Sequence, residues 1–298
     1  MVSRLTTPKA TTAVFVILML MAGCATVPYR PIPVTQEKVG VRLLREDPSG
    51  WTDLPLGAYK VPNGQVVVVR QPGRERGKGG MGFGLLGGIL GVVAEHEGGK
   101  DSAKTAIAEI ENALSIDLVK EASGLLGEKM NQRLLPLNWV LAEEQETSHF
   151  MEIVPYVILI VDDSQQARSY LFLKARLLTK NGSETWRTRY IYYAPDSRSM
   201  RGKSSWTENN GDALKSVIAK GLSKTVDTMF TDARGEGAWK HKPCKLKWRF
   251  AEGSLDLKGE ILDETEETII FSLQRSGLIL KGINIIPRQD VESVTFTQ

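Results

Sequence analysis

An α+β fold is predicted, with a mixed or antiparallel sheet packed by two amphipathic helices and a small β-barrel at the C-terminal end. Three observations carry that prediction. Between Trp139 and Tyr193 the sequence alternates like sheet, and an Asn181-Gly182 turn joins two long runs. Two other segments, 101–133 and 214–229, repeat apolar residues every three or four positions. Beyond Gly237, short β-branched runs follow one another at regular spacing.

The chain opens on a targeting segment. Met1 to Thr12 carries Arg4 and Lys9 and no acid, and it feeds the apolar run Val14 to Ala22. That run is shorter than the roughly 20 apolar residues a membrane-spanning helix needs. Met21-Ala22-Gly23-Cys24 resembles the lipobox of bacterial lipoproteins, with Met21 where leucine is usual. The resemblance implies that residues 1–23 are a lipoprotein signal peptide and that Cys24 becomes the lipidated first residue. The chain would then be held to the membrane by acyl chains rather than span it. In lipoproteins of this kind an aspartate after the cysteine retains the protein in the inner membrane. Ala25 stands there, which implies the periplasmic face of the outer membrane. The simpler alternative is an ordinary signal or uncleaved anchor that happens to hold a cysteine.

Removing residues 1–23 takes away two bases and no acid, leaving 36 bases against 35 acids. A near-neutral balance gives no support for a nucleic-acid partner. With Cys24 committed to lipid, Cys244 has no partner in the chain for a disulfide, and it reads as a small buried hydrophobe.

Residues 24–38, with Pro28, Pro31 and Pro33 and no apolar period, read as an extended tether. An α/β domain is expected over 39–233. Its first strand is Gln65 to Arg70, entered by the Asn63-Gly64 turn. Next comes the glycine-rich insert 79–94. Gly82-Phe-Gly-Leu-Leu-Gly87 matches the dinucleotide fingerprint literally, but polar residues separate it from the preceding strand, so no pyrophosphate would meet a helix start there. Gly80, Gly84 and Gly88 have the spacing that lets helices approach closely, which makes them candidates for membrane or partner contact. The plainer reading is a glycine-rich connection that serves packing. His96 lies between Glu95 and Glu97 without a second ligand cluster and reads as a solvated turn.

Ala103, Ile107, Ile110, Leu114 and Leu118 form one apolar stripe from an N-cap at Asp101 or Ser102, with a break expected at Gly124 or Gly127 and an end before Pro136. Strands follow at Trp139–Ala142, at Phe150–Val161 with a bulge expected at Pro155, at Ser169–Leu178 and at Glu184–Tyr193. Leu214, Val217, Ile218, Leu222, Val226 and Met229 mark the second helix. On the element order and the hairpin Leu178-Thr-Lys-Asn-Gly-Ser-Glu-Thr-Trp186, the span 39–233 resembles the TolB-N-like and curli-secretion-like envelope lipoproteins.

A linker is expected over 234–243 and a small barrel over 244–298. Its strands are read at 245–250, 255–262, 268–273, 277–280 and 291–296. Leu257-Lys-Gly259-Glu-Ile and Ile286 to Val294 resemble the Sm-like or SH3-like barrel pattern. That family often handles RNA, an activity that an extracytoplasmic address argues against carrying over.

No catalytic constellation, cofactor motif or paired metal-ligand spacing is present. His241-Lys-Pro-Cys244 is half a metal site without its other half. Asp162-Asp163 and Glu143-Glu144 read as solvated loop acids. Trp186, Tyr190, Tyr192 and Tyr193 alternate on one strand, so one set is expected in the core and the exposed set is a candidate recognition surface. The sequence thus points to a non-enzymatic scaffold or accessory subunit of an envelope assembly or secretion system, with a protein partner or a second copy of itself. The alternative is a periplasmic module that binds a small ligand or glycan through the aromatic strand. An enzyme is the least supported class.

Overall fold

The computed structural model describes residues 29–33, 35, 37–48, 54, 57–70, 100–105, 107–131, 138–141, 147–162, 164–235, 237–250, 253–273 and 279–297. Cys24, Gly80, Gly84, Gly88 and His96 lie outside the described residues. The architecture is α+β: one large mixed sheet with few helices. Twelve strands pair in the order β12-β8-β9-β10-β11-β7-β6-β5-β1-β4, and β3 lies beside β5 with β2 outside it.

The centre of the sheet is β5 (His149–Val161), β6 (Gln166–Thr179) and β7 (Glu184–Ser199), three long antiparallel strands. From Ile153 to Val161 β5 is apolar without interruption, the composition of a strand covered on both faces. Two shorter strands, β1 (Val39–Leu43) and β3 (Val66–Arg70), run parallel to β5 end to end along one edge: β1 pairs with 149–153 and β3 with 157–161. Pro155 falls in the gap between them. The pairing with β6 runs through Val154, Pro155 and Tyr156 without a shift, so the expected bulge is absent. A proline inside a central strand is tolerated because its missing N–H points at the one place where no neighbour asks for it.

β4 (Trp139–Leu141) flanks β1, and β2 (Tyr59–Lys60) flanks β3. The helices cover one face: α1 (Glu111–Leu114), α2 (Leu118–Asn131) and α3 (Glu208–Asp232), with a helical stretch at 100–105. The first amphipathic segment breaks at 108–110 and again at 115–117, not at Gly124 or Gly127, which lie inside α2. Three hydrogen bonds fix the second break. Gln65 accepts the Leu118 N–H at 2.7 Å and donates its own N–H to the Ile116 carbonyl at 3.2 Å, while Asp117 caps α2 by accepting the Lys120 N–H. At the start of α3, Asn209, Asn210 and Gly211 have left-handed backbone, so the regular helix begins beyond them.

The C-terminal strands are β8 (Lys242–Phe250), β9 (Gly253–Glu264), β10 (Thr268–Leu273), β11 (Gly282–Pro287) and β12 (Val291–Phe296). They form a meander in which β12, after a 3₁₀ turn at Arg288–Asp290, returns to pair with β8. The described pairings leave this sheet open. The strand expected at 277–280 lies later: Ile279 and Leu280 form a turn and β11 follows.

The expected boundary at 234–243 does not divide the chain into two bodies. β11 pairs in parallel with β7, Ile283 opposite Tyr190 and Ile285 opposite Tyr192. Both cores cross the boundary as well. The helix-side core takes in Trp239, Leu262, Ile283 and Ile285. The opposite core packs Tyr156, Tyr170, Phe172 and Tyr193 of the central strands against Leu246, Trp248, Phe250 and Phe271. Arg168 of β6 fixes the junction, donating to the carbonyls of Ala194 (2.9 Å) and Pro195 (3.0 Å) and to Asp290 (2.5 Å).

Gly282 makes the β7–β11 junction feasible. Its φ is +135°, and a Cβ there would lie 2.2 Å from the Arg189 carbonyl oxygen, a backbone atom that cannot swing aside. Gly282→Ala is expected to cost at least about 2 kcal/mol and lower the thermal midpoint by about 4 °C or more. A variant that melts with the wild type would contradict the close approach.

Candidate functional site: the seat of the N-terminal segment

The four aromatic residues of β7 are all buried, with exposures of 7% at Trp186, 0% at Tyr190, 4% at Tyr192 and 0% at Tyr193. The expectation of an exposed recognition set is corrected here. Alternation does divide the side chains: Trp186, Tyr190 and Tyr192 face the helix-side core and Tyr193 the other. Both faces are covered, so neither set reaches solvent.

Each aromatic holds a different part of the chain. Tyr192 lies under the middle of α3, where Gly221 leaves room for its ring: a Cβ at 221 would stand 2.8 Å from Tyr192 Cδ1. Tyr193 donates its hydroxyl to Asn284 Oδ1 on β11 at 2.8 Å, and the Asn284 amide is held by the carbonyls of Leu280 and Gly282. Tyr190 donates to Asp232 Oδ2 in the last turn of α3 at 2.6 Å. Trp186 donates its indole N–H to the Arg30 carbonyl at 3.1 Å.

That last contact changes the reading of residues 29–33, which sequence assigned to a tether. They are seated on the body. Ile32 is buried in the helix-side core. Tyr29 packs its ring 5.4 Å from that of His241, and its hydroxyl accepts the Trp239 indole N–H at 3.1 Å. The same indole N–H reaches Asp232 Oδ1 at 3.3 Å. Further on, the Asn138 amide donates to the carbonyls of Thr35 (2.6 Å) and Glu37 (2.7 Å). One cluster, the buried Trp239, Asp232 and Tyr190 with the half-buried Tyr29, therefore ties together the N-terminal segment, the linker into β8, the end of α3 and β7.

Asp232 is the chemically unusual member. It is fully buried, and burial pushes its carboxyl up to about 7, against the Trp239 hydrogen bond, which favours the charged form. It also sits where the helix dipole opposes negative charge. Sequence reasoning passed over it, although an acid in the last turn of a long helix is itself a signal.

The other residues singled out from sequence are dispersed. His149 has Glu37 Oε2 at 3.2 Å and Ser148 Oγ at 3.3 Å, both on the same ring nitrogen, Nδ1. A general base must instead separate its acid and nucleophile between two nitrogens. His241 Nδ1 faces Glu260 at 3.0 Å, whereas Cys244 is buried, its thiol pushed up to about 11 chiefly by burial. Asp162 accepts from the Ser164 hydroxyl and the Gln166 N–H and so organises the β5–β6 turn. Among the described residues no group of three His, Cys, Asp or Glu side chains is arranged to hold a metal ion. A cavity of about 10 Å³, lined by Ile158, Tyr170, Phe172 and Phe250 among others, is apolar and no larger than a water molecule.

No protein-family model matches this chain, and no curated protein matches it in sequence.

The pH dependence of Asp232 has a definite sign. Its folded pKa lies above the ordinary value of 3.8, so the folded state holds the proton more tightly. The associated stability is complete below about pH 4 and is lost as pH rises towards about 7. Between pH 4 and pH 8 the stability of Asp232→Asn should improve relative to wild type by on the order of 2–4 kcal/mol in denaturant unfolding. A difference that stays flat across that range would contradict the buried acid.

Proposed function

We propose that this chain is a bacterial lipoprotein whose residues 1–23 are removed and whose Cys24 carries acyl chains. It is held on the periplasmic side of the outer membrane. There it works without enzymatic chemistry, as a scaffold or accessory subunit of an envelope assembly or secretion system, with a protein partner or a second copy of itself. The observation that carries this reading is the pairing of the Met21-Ala-Gly-Cys24 sequence with the seating on the body of residues 29–33, five positions beyond Cys24.

That short spacing matters mechanically. Cys24 to Tyr29 spans at most ~18 Å even when fully extended. A lipid on Cys24 would hold the body close to the bilayer rather than at the end of a long flexible arm. A body so held is suited to presenting a fixed surface to another envelope component. The five C-terminal strands, read here as a small SH3-like barrel, serve as the adaptor. The glycine-rich insert, with Gly80, Gly84 and Gly88, supplies membrane or partner contact. Its flanks are tied at one place, where Arg70 donates to Ser102 Oγ at 2.8 Å. A glycan-binding reading has lost its main support, because the aromatic strand it relied on is buried. Among the described residues no helix is long and apolar enough to cross a membrane.

Mass spectrometry of the mature N-terminus together with membrane fractionation tests the proposal. The expected result is an acylated Cys24 at the N-terminus and a Cys24→Ser form released from the membrane or left unprocessed. A Cys24→Ser form that stays on the same membrane and is cleaved at the same peptide bond as the wild type would overturn it.

A further inference from the structure

The hydrogen bond that seats Tyr29 is shared. The Trp239 indole has one N–H and two acceptors, the Tyr29 hydroxyl at 3.1 Å and Asp232 Oδ1 at 3.3 Å. While the Asp232 carboxyl is neutral it competes weakly, and the N–H serves both oxygens. Hydrogen bonds to a carboxylate are roughly twice as strong as neutral ones. Once ionised, Asp232 draws the N–H to itself and Tyr29 loses its bond. Solvation acts in the same direction. Asp232 is 0% exposed and Trp239 8%, whereas Tyr29, half-buried, is the outermost member of the cluster. Lifting Tyr29 away brings water towards the carboxylate, which a buried charge demands.

The surrounding elements offer that charge no counter-ion. Tyr190 of β7 donates to Oδ2, and the charged groups beyond Trp239 are matched elsewhere: Lys240 to Asp263, His241 to Glu260 and Lys242 to Glu264. The side chains of Arg30 and Arg234 are exposed. Among the described residues no cation is bonded to Asp232. The far end of the segment carries a titratable pair of the same sign. Glu37 Oε2 lies 3.2 Å from His149 Nδ1, an ion pair only when the imidazole is protonated. Acid therefore favours the seated segment at both of its ends.

We propose that residues 29–33 are a strap switched by the charge on Asp232, docked on the body while that carboxyl is neutral and released as it ionises. Docking is complete in acid and weakens as pH rises from about 4 towards about 7, because the docked state binds the proton more tightly. The switch does not depend on the state of Cys24, and its test does not read the anchor. One consequence alone rests on the lipoprotein reading. With Thr35 still held by Asn138, release lengthens the reach from Cys24 to the body from at most ~18 Å to ~40 Å of extended chain.

Ile32, 3% exposed, is the place for a probe under the strap. The full-length chain in detergent carrying Ile32→Cys is treated with a maleimide between about pH 5 and about pH 8, and labelling at position 32 is read by peptide mass. The same measurement with Asp232→Asn added, which cannot ionise, cancels the pH dependence of the thiol and of His149. The rate with Asp232 divided by the rate without it should rise at least about fivefold across that range, the lower end of coupling between two sites. The buried Cys244 of the same molecules reports opening of the whole body, and its labelling should not rise with that of position 32. A ratio that stays flat, or a Cys244 that follows position 32 in step, would overturn the proposal. Should Ile32→Cys fail to fold, hydroxyl-radical oxidation of Tyr29 in the chain with native Ile32, with and without Asp232→Asn, decides by the same ratio.

Discussion

Everything in this molecule depends on the middle of β7, Tyr190 to Ala194, having no free side. Its edges are taken by β6 and, at Tyr190–Tyr192, by β11, and its faces by α3 and the C-terminal strands. A strand buried on four sides must satisfy its polar atoms internally or pay heavily in desolvation. The Trp186 indole and the Tyr190 and Tyr193 hydroxyls meet that demand by bonding to three remote parts of the chain: Arg30, Asp232 and Asn284. Apolar burial draws the layers together, and these bonds fix which residues meet.

The same logic governs the charges at the margins of the central sheet. Lys174 on β6 is paired with Asp47, itself almost fully buried. Arg176 places two nitrogens on Glu152 Oε2, at 2.8 and 2.6 Å. Arg168 does the equivalent work for Asp290 beneath the 3₁₀ turn, where burial raises the carboxyl and the guanidinium lowers it. Buried pairs of this kind contribute modestly to net stability, but losing either partner strands the other, so they specify geometry strongly. They attach the loop after β1 and the turn before β12 to one side of β6. The exposed ladder of Lys240–Asp263, His241–Glu260 and Lys242–Glu264 is a solvated feature of β8 and β9 and does no comparable positioning.

Much of the fold was legible in the sequence. The Asn181-Gly182 hairpin forms as read, with Gly182 at φ +79° and the Gly182 N–H donated to the Thr179 carbonyl. The α3 stripe is buried at Leu214, Ile218, Leu222, Val226 and Met229 as its spacing required, with Val217 partly so. Exposure was not legible for the aromatics, because alternation separates two faces without saying whether a later segment covers the second. A hint lay in β5, whose unbroken apolar run from Ile153 to Val161 already marks a sheet buried on both sides. β11 was misplaced because Asn284 interrupts an apolar run and Pro287 ends it. Asn284 is nonetheless fully buried, its polarity absorbed by Tyr193, Leu280 and Gly282. The seat of residues 29–33 was hidden by proline-rich composition, and Asp232, linked to it through Trp239, by the absence of any local motif.

If β7 binds the described strands into one body, those on either side of the expected 234–243 boundary cannot open separately. Native-state hydrogen exchange on the full-length chain, read against denaturant, measures this directly. Amides of β8 to β11 should exchange with the same limiting free energy and denaturant dependence as those of β5 to β7. A distinct opening of β8 to β11 at markedly lower free energy, with β5 to β7 still protected, would contradict the account.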